Sequence, residues 1–199
     1  MFTHKHTKFW KERKINWEQD YLLAPGAMNH PHRDLILKRL SELQWRSLLE
    51  VGCGAGANLV RIKQQWPAAE VGGIDINKDA VLTVGKYIKD AKYLDVGDPR
   101  DIMMSDNSVD VVMSDACLIY MGPLAVRKAL KDMKRVARNY LVLCELHSEK
   151  KVWFSRYNIH NYKKLLEDLD CFDIRIEKIT NWPGTPWQDY GHIISATFI

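Results

Sequence analysis

The sequence predicts an α/β fold built on a mostly parallel sheet, and three observations carry that expectation. From residue 47 onward, short Val/Ile/Leu-rich runs alternate with amphipathic segments, the pattern of βαβ units. The first of these runs, SLLEV, leads straight into a glycine-rich turn, GCGAG, and then into a helical pattern. Toward the end, two long strand-like runs, FDIRIEKIT and YGHIISATFI, flank the turn-rich NWPGTPWQD, which predicts a closing antiparallel hairpin.

Taken in order, the first element is the amphipathic stretch NHPHRDLILKRL, read as an N-capped helix that covers the sheet ahead of the glycine turn. Residues 1–46 are expected to form a helical lid within the same domain as the body, 47–199. The strands are placed at 47–51, 70–75, 92–96, 108–115 and 140–146, each short and rich in branched or aromatic residues. Helices are placed at Asn58 to Trp66, closed by Pro67, at Lys78 to Lys89, capped by Asn77, and at Leu124 to Ala137. After Leu146 a polar, aromatic stretch leads into a short helix, YKKLLEDL, and the two hairpin strands follow.

At 199 residues, 46% hydrophobic and 27% charged, the chain is long enough for one well-cored domain. No run of 18 apolar residues and no secretory pattern is present, so a cytoplasmic protein without membrane spans is expected. The four cysteines, Cys53, Cys117, Cys144 and Cys171, form no C-x-x-C pair, which argues against a disulfide framework or a zinc site. The net charge is +4, with its basic part at Lys5, Lys8, Lys11, Arg13 and Lys14, read as a solvated face rather than a nucleic-acid stripe.

The glycine turn fits more than one ligand. Glycine permits positive φ and lets a ligand lie against bare backbone at a helix start, and Gly52, Gly54 and Ala57 also satisfy the dinucleotide spacing G-x-G-x-x-G/A. A P-loop is excluded by the missing Lys-Ser/Thr pair. The acids around the turn separate the rest. Glu50, two residues before Gly52, would oppose a pyrophosphate but suits a ligand carrying an ammonium and a sulfonium. Asp75 ends the second strand, where a carboxylate accepts both ribose hydroxyls, and Asp98 in VGDP stands where one accepts from an adenine amine. Three successive strands therefore end in acids on the carboxyl edge.

With these residues in place, the sequence resembles the class I S-adenosylmethionine-dependent methyltransferases. LLEVGCGAG is similar to that family's glycine loop, GGIDIN to its ribose strand, VGDP to its adenine acid, and VDVVMSDACLIYM to the strand and loop that pass the methionine moiety. The resemblance implies a Rossmann-like doubly wound sheet of seven strands, the last antiparallel and inserted between the fifth and sixth. It implies S-adenosyl-L-methionine as cofactor, with Glu50, Gly52 and Gly54 at the methionine end, Asp75 on the ribose, Asp98 on the adenine and the Ser114 backbone near the amino group. Cys53, Gly56, Ile76 and Pro99 join the set by adjacency. Asp115 is placed at the methionine amine or as a cap of the next loop, Arg33 at the methionine carboxylate, and Tyr21 as a closure over the cofactor.

Methyl transfer by in-line displacement needs mainly positioning of a nucleophile, and a base only where the acceptor holds its proton. Tyr120 and His192 are the candidate catalytic residues on this edge. Glu145 and His147 share one face of a strand end, but the acid plus Asp-Asn set of the metal-dependent branch is missing, so no metal is expected and His147 is read as a surface or hydrogen-bonded histidine. Trp10, Trp17, Trp153, Trp182 and Trp187 fall in the segments that overhang the edge, which suggests a walled pocket for a small or cationic acceptor. DNA is set aside as acceptor, because SDAC is not the N/D-P-P-Y/F that grips a flipped amino group and no Pro-Cys nucleophile is present. RNA or protein acceptors, and a noncatalytic cofactor-binding subunit, stay open alternatives.

Overall fold

A computed structural model describes residues 3–154, 156–180, 182, 184 and 186–198. Seven strands, β1 (Ser47–Val51), β2 (Glu70–Asp75), β3 (Tyr93–Val96), β4 (Val109–Asp115), β5 (Ala137–Leu146), β6 (Phe172–Lys178) and β7 (Gly191–Thr197), form one sheet in the order β3-β2-β1-β4-β5-β7-β6. The pairs from β3 through β5 are parallel, and β7 runs antiparallel between β5 and β6. The order reverses between β1 and β4, so the carboxyl ends of these two strands border the crevice where open α/β sheets bind ligands.

Strand alternation explains how both faces are filled. In β1, Leu49 and Val51 pack on one face and Leu48 on the other; in β4, Val112 opposes Val111 and Met113; in β5, Leu141 and Leu143 oppose Val142 and Cys144. The first face is covered by α5 (Pro123–Val136), through Val126, Leu130 and Met133, and by α6 (Tyr162–Glu167). The second is covered by α2 (Pro31–Ser41), α3 (Ala57–Gln65) and α4 (Lys78–Tyr87), through Ile36, Leu40, Leu59, Ile62 and Val84. Truncating any of these fully buried leucines to alanine costs roughly 2–5 kcal/mol.

Local signals set the element ends. Asn77 caps α4, its side chain accepting from the Asp79 and Ala80 amides, as its position in the sequence predicts. The start of α2 differs from expectation: His30 makes no side-chain cap bond, and Pro31 at the first helical position sets the turn. Two elements were not foreseen, a π-helical turn over Gln19–Leu23 and a short α7 (Trp187–Tyr190) inside the hairpin connection, of which Asn181, Pro183 and Thr185 lie outside the described residues. At the start, α1 (Thr3–Glu12) lies across the site edge, with Lys8 and Lys11 exposed; the side chain of Lys5 is outside the described residues. No described helix is long and apolar enough to cross a membrane.

Candidate active site

The carboxyl ends of β1, β2 and β4 open into a cavity of about 400 Å³, within the range of small-ligand sites. Its floor is the glycine turn. Gly52, at φ +74°, takes a conformation side chains avoid, and a Cβ there would collide with Cys117 from the loop after β4. Gly73 in β2 is needed for a different reason: a Cβ would press within 2.8 Å of Cys53 Sγ, so its absence lets the turn lie close against the neighbouring strand. Asp75 locks the turn from β2, accepting from the Gly54 amide at 2.9 Å and from the Asn77 amide at 2.8 Å. Burial raises its carboxyl, against the pull of these amides.

One amide side chain organises the floor around Glu50. Asn58, in the first turn of α3, donates through a single nitrogen to Glu50 Oε1 at 2.6 Å and to Asp115 Oδ2 at 2.9 Å. Its oxygen accepts from Arg33, whose Nε donates to the Ala27 carbonyl and whose Nη1 lies 3.4 Å from Asp115 Oδ2. His32 Nε2 reaches the same oxygen at 2.8 Å. The two acids respond in opposite directions. Burial pushes Glu50 up to about 8, the bond from Asn58 opposing it only in part. Burial would raise Asp115 as well, but His32, Arg33 and Asn58 outweigh it and hold the carboxyl well below its usual range.

Glu50 Oε2 and Asp115 Oδ1 are left buried with no hydrogen-bond partner, as are the indole nitrogens of Trp10 and Trp17. All four residues line the cavity, and among the described residues only the Tyr162 hydroxyl shares that state elsewhere. Unmatched buried polar atoms are costly, so a cluster of them on residues that line one cavity marks a place for a ligand.

The loop after β4 is held from beneath by Glu145, a residue the sequence reading weighed only as half of a metal pair. Fully buried, it accepts from Ser114 Oγ and from the Cys117 and Leu118 amides on one oxygen, and from the Ile119 amide on the other. Burial nonetheless pushes its carboxyl up to about 8. The loop begins with Ala116 at φ +53°, a left-handed conformation for a residue with a side chain, which brings Cys117 against Gly52 and directs Tyr120 into the cavity. His147 is buried, its Nδ1 accepting from the Tyr162 amide; burial and the nearby His192 push it down to about 4. It is therefore hydrogen-bonded rather than at the surface. His32, Asp115 and Cys144 offer atoms within 4.8 Å of one another, but the Asp115 oxygen toward His32 already serves Asn58 and Arg33.

Aromatic side chains roof the cavity. Trp17 stacks on Tyr21 at 5.2 Å, and Tyr120 meets Trp10 edge-on at 5.2 Å and Tyr157 at 5.7 Å. Burial raises the Tyr120 phenol, so it stays neutral. From the hairpin connection, Trp182 stacks on His32 and on Trp187. Trp153 is 84% exposed and takes no part.

Of the residues expected at the site, Tyr21, Arg33, Glu50, Gly52, Cys53, Gly54, Asp75, Ile76, Asp98, Pro99, Asp115 and Tyr120 line this one cavity. Asp98 arrives already paired: both of its oxygens take guanidinium bonds from Arg100, and though burial acts to raise its carboxyl, Arg100 holds it below its usual range. Three expectations place differently. Gly56, at φ +84°, packs toward Val84 of α4; Ser114 is fully buried with its hydroxyl on Glu145; His192 sits outside the cavity, its ring edge-on to His147 and its Nδ1 at the Tyr190 carbonyl. Asn58, His30 and His32 were missed. The motif HPHR, with two imidazoles and a guanidinium within four positions at a helix start, was the available signal.

Residues 48–139 match the model of a methyltransferase domain family, a stretch that runs from β1 into β5 and holds the glycine turn, Asp75, Asp98 and Asp115. Among curated proteins, the chain is similar to a dTDP-4-amino-2,3,4,6-tetradeoxy-D-glucose N,N-dimethyltransferase of Saccharopolyspora spinosa, 32% identical over 105 residues that cover 53% of this chain and 38% of that protein. It is also similar to a trans-aconitate 2-methyltransferase of Klebsiella pneumoniae, 27% identical over 102 residues, 51% of this chain and 39% of that one. The chain thus spans well under half the length of these relatives. Its fold matches a magnesium protoporphyrin IX methyltransferase of Synechocystis PCC 6803, solved with bound SAM, at TM-score 0.65 and 16% identity, over 98% of this chain and 91% of that one.

Proposed function

We propose that this chain is a class I S-adenosylmethionine-dependent methyltransferase and moves a methyl group from S-adenosyl-L-methionine to a small-molecule acceptor. The observation that carries the reading is the pair of unmatched carboxylate oxygens, Glu50 Oε2 and Asp115 Oδ1, on two acids bridged by one amide nitrogen. Such a pair wants a compact cation with several N–H donors, which the methionine ammonium provides and the pyrophosphate of a dinucleotide does not.

The other residues fit the rest of the cofactor. Arg33 is the cation beside that pair and suits the methionine carboxylate. Asp75, both oxygens fixed by backbone amides, keeps lone pairs for ribose hydroxyls, with Ile76 beside it. Asp98 and Pro99 would meet the adenine, and Trp17 with Tyr21 would cover it. When bound, the cofactor supplies a methyl group already activated on a sulfonium. What the chain then contributes is alignment and exclusion of water, and such positioning is worth roughly 7–11 kcal/mol. Tyr120 closes the end of the cavity where an acceptor would enter. Both curated relatives named above are, by their names, enzymes acting on small molecules, one an amino sugar nucleotide and one a carboxylic acid, which supports the same class here.

Calorimetry with S-adenosylhomocysteine and with NAD tests the cofactor half: the first should bind and the second not, and binding of NAD alone would overturn it. Labelled methyl transfer into a metabolite extract, set against RNA and protein pools, tests the acceptor half; label entering only a macromolecular pool would sink the small-molecule reading.

A further inference from the structure

Three side chains stand in line at the cavity wall. Asp115 Oδ2 meets His32 Nε2 at 2.8 Å, and the other nitrogen of that ring, His32 Nδ1, meets His30 Nδ1 at 2.5 Å. A neutral imidazole donates from one nitrogen and accepts at the other. The contact to an ionised carboxylate that already accepts from Asn58 and Arg33 fixes the proton of His32 on Nε2. In the neutral form of His32 its Nδ1 is an acceptor, so the proton between the two rings belongs to His30 Nδ1, and His30 Nε2 carries a lone pair; that neutral form is part of the proposal below. Among the described residues, nothing is hydrogen-bonded to that nitrogen, and His30 lines the cavity.

The rings are held as well as oriented. His32 is 3% exposed and stacks on Trp182 at 4.3 Å, and His30 packs against the same indole at 4.4 Å. The charged and titratable groups near His30 are His32 and Arg33 from α2 and Asp115 from β4; burial first, and the Arg33 charge with it, pushes His30 below the ordinary imidazole range, so it is neutral and able to take up a proton at pH 7.

We propose that His30 is the general base of the transfer, with His32 and Asp115 as the positioning residues behind it, and that the acceptor is a hydroxyl or a protonated amine rather than a carboxylate. The proposal rests on the methyltransferase reading above. In the step, His30 Nε2 takes the proton of the acceptor atom as that atom bonds to the methyl carbon. The carbon–sulfur bond breaks with its electron pair left on sulfur, and the new positive charge on His30 is shared through Nδ1–H toward His32 and Asp115. A carboxylate acceptor is ionised at pH 7 and would need none of this, whereas a hydroxyl or ammonium must lose a proton to become a nucleophile.

Long-range ¹H–¹⁵N spectra of the uniformly labelled protein at neutral pH test the arrangement without any acceptor, the rings being assigned with His30→Asn and His32→Asn. The expected pattern is His30 protonated at Nδ1 and His32 at Nε2; His30 protonated at Nε2 would overturn the proposal. Binding of S-adenosylhomocysteine separates this from the cofactor reading. His30→Asn should bind it within about threefold of wild type yet lose roughly 10²–10⁴-fold in labelled methyl transfer to the metabolite pool. Failure of the unaltered protein to bind would instead strike the cofactor reading and leave the tautomer result standing. The labelled product should resist mild alkali, as an ether or amine does; release of labelled methanol would mark a methyl ester and refute the acceptor class.

Discussion

With Glu50 in the proposed role, its raised carboxyl should make cofactor binding a proton-releasing event of calculable size. With its carboxyl at about 8, Glu50 is about nine-tenths protonated at pH 7 before any ligand arrives. An ammonium some 4 Å from the freed Oε2 attracts the anion by about 4 kcal/mol at an effective dielectric of 20. That is about three pK units, enough to bring Glu50 near 5 and ionise it at pH 7. About 0.9 proton should therefore leave the complex at pH 7, and only about 0.1 at pH 9, where the residue is already ionised. The assay is calorimetry of S-adenosylhomocysteine in phosphate and in Tris, where the difference in observed heat divided by the difference in buffer ionisation enthalpy counts the protons. Glu50→Gln keeps the bond with Asn58 but cannot ionise, so its release should vanish. Ionising Glu50 at pH 7 costs about 1.4 kcal/mol against the 4 gained, so the variant should bind about 2–3 kcal/mol more weakly, near a hundredfold. Equal heats in the two buffers for the unaltered protein, or an undiminished release in Glu50→Gln, would refute the reasoning.

Other perturbations follow from the same geometry. The ligand-free chain should lose stability as pH rises from about 4.5 to 8, at about 1.4 kcal/mol per pH unit for each of Glu50 and Glu145. The sign is set by folded carboxyls that bind protons more tightly than unfolded ones, so stability is complete below the unfolded value and lost on the way up to about 8; urea midpoints across pH measure it. Gly52→Ala should cost about 1–3 kcal/mol and abolish cofactor binding, because the new Cβ meets Cys117 at a left-handed φ; Cys117→Ala should not rescue it, since the clash includes the Cys117 Cβ. Asn77→Ala should lower stability by about 1–2 kcal/mol through the lost cap and should also speed protease cleavage between α1 and the π-helical turn, because Asn77 Nδ2 ties the Trp10 and Arg13 carbonyls to α4. Arg33→Ala should weaken S-adenosylhomocysteine about tenfold or more by calorimetry, and an unchanged affinity would remove Arg33 from the methionine end.

What the sequence disclosed was whatever short-range chemistry controls. The first two strands match their expected limits because SLLEV and EVGGID are each bounded by residues that break or turn the chain, and Asn77 reads as a cap from its own neighbourhood. The acids of the cavity were legible because each lies at or just beyond the end of a strand, and parallel strands deliver their ends to one edge. Glu145 was misjudged for the opposite reason. Its four donors come from residues 26 to 31 positions earlier, so nothing beside it shows that its role is to hold the loop carrying Tyr120. His192 was overrated because a strand start at the carboxyl edge does not fix which way a ring turns, and here the ring turns to His147.

The same distinction bears on how the site acquires its chemistry. Asn58 alone is a polar residue in the first turn of a helix, and His32 alone is a buried histidine; each becomes functional only because β4 ends in Asp115 beside them, 57 and 83 positions away. Asp115 thus splits its duties between its oxygens. One gathers Asn58, Arg33 and His32, which keeps the carboxyl ionised and, on the proposal above, fixes the tautomer of the histidine pair; the other is left buried and unmatched. Donor binding and proton removal are therefore coupled through one carboxylate. An ammonium drawn to Oδ1 withdraws charge from Oδ2, weakens its hold on His32 and makes the relay a poorer acceptor of positive charge. The tautomer spectra with and without S-adenosylhomocysteine would show this as a shift at His32 Nε2 that is absent in Asp115→Asn.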